Sequence, residues 1–185
     1  MHPKYILFVL VFLCCSVAHG KSTIIVGGTV FVLANSESAE NGKLREFLPR
    51  NDHFEHWTYL VAIREFPQIA DPKRYIIGFS EQYHAKFPLM KYQLATDNAN
   101  GDWTIDFMEY PAAGDLHYLE WNFFRAHKRP NGIVVYQYAE RFYFTTDAKP
   151  AGKAFAETRN KMLGTVWAAK FEEVEEPNQS KDPTP

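Results

Sequence analysis

The sequence predicts an α+β fold: an antiparallel sheet of about six to seven strands, packed with one mid-chain helix and one long C-terminal helix. Three observations carry this expectation. Four strand-like segments follow one another between residues 91 and 144, joined by turn residues. Asp71-Pro72 opens a helical pattern that stops at Pro88, pairing a side-chain cap with proline at the first helical position. After the last strand, Phe155, Thr158, Met162 and Val166 fall on one helical face, with Trp167 beside it. Sequential strands joined by short turns exclude a parallel doubly wound sheet and point to a sheet covered by helices.

The chain opens with the three parts of a secretory signal. Lys4 gives a positive start, Ile6 to Val17 form an apolar run, and Ala18-His19-Gly20 place small residues before a cut at Lys21. A membrane anchor is the competing reading, but the run is shorter than the ~20 apolar residues that span a bilayer. A lipid anchor on Cys14 or Cys15 is a second competitor; the bulky Val11-Phe12-Leu13 before them disfavours it. The expected division is residues 1–20 as signal peptide, 21–171 as one domain, and 172–185 as an acidic, proline-rich disordered tail.

Within the domain, Ile24 to Leu33 is β-branched and reads as one strand, bulged at Gly27-Gly28. Asn35 to Gly42 reads as a polar connection and Leu44 to Leu48 as a short strand. Trp57 to Phe66 alternates, with Trp57, Tyr59, Val61 and Ile63 on one face. The helix after Asp71 carries Ile76, Phe79, Tyr83 and Phe87 at helical spacing. Strands then follow at Lys91 to Thr96, Trp103 to Tyr110, Leu116 to Ala126 and Ile133 to Phe144. Their turns are Asn98 to Gly101 and Arg129-Pro130-Asn131-Gly132. Asp147 is positioned to cap the last helix, with Pro150 in its first turn.

The only two cysteines, Cys14 and Cys15, lie inside the signal, so a cleaved chain has no thiol nucleophile, disulfide or cysteine-bound metal. A domain of about 165 residues, in a chain that is 16% aromatic, is large enough to hold together by its core. Cleavage removes Lys4, leaving 19 basic against 22 acidic residues and a net charge of about −3 with histidine neutral. The charges are interspersed, without the basic stripe that tracks a nucleic-acid backbone, so nucleic acid is not an expected partner.

The motif search yields no catalytic set, no metal site and no cofactor. His53-Phe54-Glu55-His56 precedes a strand and lacks His-Glu-x-x-His spacing, so a surface loop is the expectation. Gly78-Phe79-Ser80 sits on a helix and lacks the second glycine of a nucleophile elbow. Gly27-Gly28 lacks the glycine pattern of a phosphate cradle. The aromatic set Trp57, Trp103, Trp121, Phe123, Phe142 and Trp167 reads as core rather than as a carbohydrate platform.

The most informative polar group lies in the last hairpin. With Asn131-Gly132 as the two central turn residues, Asn122 faces Arg141, Glu120 faces Tyr143, and Ala126 faces Gln137. Alternation then gathers Glu120, Asn122, Gln137, Arg141 and Tyr143 on one face as candidate ligand-binding residues. Leu119, Trp121, Phe123, Tyr138, Phe142 and Phe144 go to the other, the expected core. Arg141 suits a carboxylate or phosphate, with Glu120 or Asn122 orienting the ligand. The bland alternative is a solvated sheet face, or a structural network if a helix covers it.

This element order, strands, one helix, four meandering strands and a long helix over residues 23–171, resembles the PsbP-like and DcrB-like sandwiches of exported accessory proteins. The resemblance implies a binding or assembly role in the cell envelope, with no catalytic set to carry over. The expected protein is thus exported, periplasmic or extracellular, without an integral membrane segment after cleavage. Its partner is an unknown protein or small-molecule ligand. The alternative is a small-ligand-binding or acid–base enzyme using Glu120 and Arg141 with neighbours such as Asp106 or His117.

Overall fold

The computed structural model describes residues 22–88, 91–97, 99–109, 117–145 and 149–175. The signal peptide, the Asp147 cap and Asn98 of the first turn lie outside them. The elements in chain order are β1 (Ser22–Val26), β2 (Thr29–Ala39), β3 (Gly42–Pro49), β4 (Tyr59–Phe66) and α1 (Pro72–Lys86). There follow β5 (Tyr92–Asp97), β6 (Asp102–Glu109), β7 (Tyr118–Arg129), β8 (Gly132–Tyr143), α2 (Lys149–Ala168) and β9 (Val174–Glu175).

The expectation of six to seven strands ending in a long helix is overturned, although the fold remains α+β. Among the described residues, one antiparallel sheet of nine strands runs β5-β6-β7-β8-β4-β3-β2-β1-β9. Gly27-Gly28 is not a bulge. Both residues have positive φ (58° and 84°), the geometry of a two-residue hairpin turn, so the segment read as one strand is two. The polar stretch from Asn35 continues β2 to Ala39, because its far end pairs with β3. Helix α2 is not the last element either: Val174 and Glu175, within the segment read as a loose tail, pair with Thr23 and Ser22 of β1.

The topology is two four-stranded meanders, β1 to β4 and β5 to β8, zipped edge to edge by β4 and β8 along Tyr59↔Glu140 to Phe66↔Ile133. Helix α1 connects the meanders across one face. Asp71 caps it as expected, its carboxylate accepting from Lys73 N at 2.9 Å. Its residues Ile76, Tyr75, Phe79 and Tyr83 pack on Ile105, Phe107, Phe124, Ala126, Ile133 and Val135. Ser80, expected on the helix surface, is buried and donates to Ile77 O at 2.7 Å. Gly78 has no atom within 4 Å of where a Cβ would lie, so packing does not account for it.

Helix α2 covers the opposite face. Phe155, Met162, Val166 and Trp167 pack over Phe31, Phe47, Val61, Trp121, Phe123 and Tyr138. Of the six strand residues expected as core, Leu119, Trp121, Phe123 and Tyr138 are buried there, while Phe142 and Phe144 are only half-buried. Two arginines anchor the helix. Arg159 grips Asp106 of β6 with two hydrogen bonds, at 2.7 and 3.0 Å. Arg125 of β7 donates to the carbonyls of Trp167 and Ala169, groups that a helix C-terminus leaves without internal donors. Beyond the helix, Phe171 adopts φ +49°, a costly backbone for a bulky residue, and its buried ring stacks on Tyr136 at 5.0 Å. Among the described residues, no helix is long and apolar enough to cross a membrane.

Candidate functional site

The five residues singled out from the last hairpin do share one face, but their cross-strand partners differ from those expected. Glu120 faces Arg141, Asn122 faces Ala139, Phe124 faces Gln137, and Tyr118 faces Tyr143. The turn places Pro130 and Asn131 at its centre, with Gly132 taking the positive φ (96°) just after them. Proline fixes φ near −65° and so favours the second position of a type I turn, and the glycine that closes the turn takes the positive φ. The resulting slip is two residues, which preserves the face of every side chain.

That face is not solvated. It is the α1 side of the sheet, where Glu120, Asn122 and Gln137 are buried. They form a continuous band across the seam between the meanders. Arg64 of β4 donates to Gln137 Oε1 at 2.6 Å, and Gln137 Nε2 donates to Asn122 Oδ1 at 2.7 Å. Asn122 Nδ2 donates to Glu120 Oε1 at 3.0 Å, while Arg141 Nε reaches Glu120 Oε2 at 2.8 Å. Both oxygens of Glu120 are thereby engaged by donors, which is what a buried carboxylate needs to remain ionised.

The far end of the band is aromatic. The Arg141 guanidinium lies 3.8 Å from the Trp57 ring centre and 4.3 Å from that of Tyr118. Tyr143 does not join the band; its hydroxyl donates to Trp57 O at 2.8 Å and its ring stacks on His56 at 4.1 Å. Trp57 itself packs with Leu48, Leu60, Ala62 and Ala139 rather than with Tyr59, Val61 and Ile63, because β4 begins only at Tyr59.

Glu109 was not expected in this group. It stands directly opposite Glu120 on the neighbouring strand, and Tyr83 of α1 donates to its Oε2 at 2.9 Å. Burial and the Glu120 charge push the Glu109 carboxyl up to about 7. The pairing of β6 with β7 passes through a long connection rather than a tight turn, so the sequence offered no register from which to find it. Asp106, named with the acid–base alternative, points to the α2 side and is bound by Arg159. His117 stands exposed just before β7, its ring 5.7 Å from that of Phe144.

A second polar assembly lies on the α2 side, at the end of the sheet. Asp102 and His127 meet across β6 and β7, with His127 Nδ1 2.6 Å from Asp102 Oδ1. They line an open cleft of about 430 Å³ together with Arg129, Tyr136, Trp167 and Lys170. A second cleft of about 400 Å³ lies on the other side of Tyr136, where Phe171 and Glu173 form part of the wall.

A protein-family model matches residues 20–171, which takes in both meanders, both helices and every residue of the band. The chain belongs to that family, which is uncharacterised. Comparison with curated proteins finds no match.

Proposed function

We propose that this chain is an exported, non-enzymatic binding or accessory domain of the cell envelope. The observation that supports this reading best is the closure of the polar band. Arg64, Gln137, Asn122, Glu120 and Arg141 spend their hydrogen bonds on one another, leaving no exposed nucleophile or base among them. The leader-like N-terminus and the PsbP-like and DcrB-like element order belong to the same proposal. Its test is site-specific photo-crosslinking in the cells that make the protein. A photoreactive residue is placed at exposed Ile25 or Val30 and, as a control, at Glu81 of α1. A discrete adduct confined to one surface is expected; uniform or absent adducts at all three positions would contradict the reading.

A second reading, a small-ligand or acid–base site at Glu120 and Arg141, is favoured by one specific observation: the raised Glu109 carboxyl beside an arginine held between two aromatic rings. Under that reading, Glu120→Gln abolishes ligand uptake while the melting temperature stays unchanged.

A further inference from the structure

The cleft at the end of the α2 face holds groups that the proposed function does not use. His127 is a cross-strand neighbour of Asp102, whose carboxylate is buried and can only accept hydrogen bonds while ionised. The 2.6 Å contact therefore fixes Nδ1 as the donor and turns Nε2 away from Asp102. Asp102 is itself steadied by Arg125, whose Nε lies 3.8 Å from Oδ2. Arg125 is in turn committed to the end of α2. The imidazole is thus held by a support that runs along the α2 face of the sheet to the end of the helix, a preorganisation that a merely solvated histidine lacks.

Besides Arg125, two further cations line the same cleft. Arg129 is exposed and gives one hydrogen bond, from Nη2 to the Tyr136 hydroxyl at 2.9 Å. Lys170 is exposed and has no ionic partner among the described residues. Of the acidic side chains on the cleft, Asp97 is turned into its own hairpin, accepting from Ala99 N at 3.0 Å and from Asn100 Nδ2 at 2.7 Å. Asp102 is taken by His127. Glu172 stands exposed on the rim, so among the described residues of the cleft the three carboxylates of Asp97, Asp102 and Glu172 are set against Arg125, Arg129 and Lys170.

We infer that this cleft binds a phosphate group, as inorganic phosphate or as a phosphate monoester, between His127, Arg129 and Lys170. The chemistry selects phosphate over a carboxylate or sulfate. Near neutral pH a phosphate carries both anionic oxygens and, in part of the population, a protonated one, since its second pKa is about 6. It can give a proton to a neutral Nε2 or accept one from a charged ring, while its other oxygens face the two cations. The volume of about 430 Å³ leaves room for a monoester's body against Tyr136 and Trp167. This goes beyond the binding reading above: a partner adduct does not require phosphate binding and phosphate binding does not require a partner, so each can fail alone.

The experiment titrates the mature chain with inorganic phosphate, with O-phosphoserine and with sulfate, following the His127 ring nitrogens by NMR. Saturable movement of His127 is expected with phosphate or phosphoserine, the tighter of the two naming the source, and binding of sulfate at least about tenfold weaker. Lys170→Ala and Arg129→Ala each weaken phosphate by about tenfold, Asp102→Asn weakens it with the folded spectrum retained, and Glu172→Gln tightens it. A His127 signal that does not saturate, that responds equally to sulfate, or that is unchanged in the Lys170→Ala/Arg129→Ala double variant overturns the assignment.

Discussion

Glu109 and Glu120 face each other across two strands, and two carboxylates so placed cannot both ionise without cost. Asn122 and Arg141 donate to Glu120, and burial together with the Glu120 charge pushes the Glu109 carboxyl up to about 7. A carboxyl raised by folding binds more protons folded than unfolded, so its contribution is complete below its ordinary value of 4.5 and is lost as pH climbs through about 7. Glu140, buried on the other face and also pushed up to about 7 by burial, acts in the same direction. Melting temperature should therefore fall between pH 5 and pH 8, by the equivalent of about 2 kcal/mol for Glu109. Glu109→Gln should remove part of that slope and Glu109→Gln/Glu140→Gln more of it. A slope identical in all three chains speaks against these two carboxyls as its source. None of this was visible in the sequence, where Glu109 is one acid among many; Glu120 and Arg141 were visible because a tight turn set their face.

The elements show the same division between what local chemistry dictates and what long-range pairing decides. Asp71-Pro72 fixes the start of α1 by a cap and a preset φ, both local, and the structure agrees. The Arg129–Gly132 turn was placed correctly but its register was off by two, because a proline at the second turn position outweighs the Asn-Gly pair. Gly132 makes this testable. Its φ of 96° disfavours any side chain, and a Cβ there would lie 2.1 Å from Phe66 O. Gly132→Ala should cost about 3 kcal/mol in a urea melt, far above the ~0.5 kcal/mol of a typical surface change. Helix α2 offers a second test. Its hold on the sheet runs through Arg159 and Asp106, so Asp106→Asn should raise hydrogen exchange in α2 while leaving α1 protected. Equal protection of both helices would show that apolar packing alone seats α2.

At the scale of the molecule, the sequence disclosed an antiparallel sheet with helices but not its span. Nine strands form one sheet because the edge of one meander, β4, pairs along its full length with the edge of the other, β8. No local signal encodes a pairing across some seventy residues, and the polar stretch of β2 and the two residues of β9 are strands only because partners lie beside them. Both cysteines precede Lys21, so if the leader is removed as proposed, the chain purified from the cells that make it should melt identically with and without reductant; a difference would show that Cys14 and Cys15 are retained. Across the seam, the band from Arg64 to Arg141 ties β4, β7 and β8 together, and the claim that it is a closed structural network rather than a free binding surface rests on Arg141. The direct measurement is urea unfolding of Arg141→Met. Loss of about 3 kcal/mol is predicted, since Glu120 would be left buried without its cation and the rings of Trp57 and Tyr118 without the guanidinium between them. Unchanged stability would contradict the network and return Glu120 and Arg141 to the role of an open site.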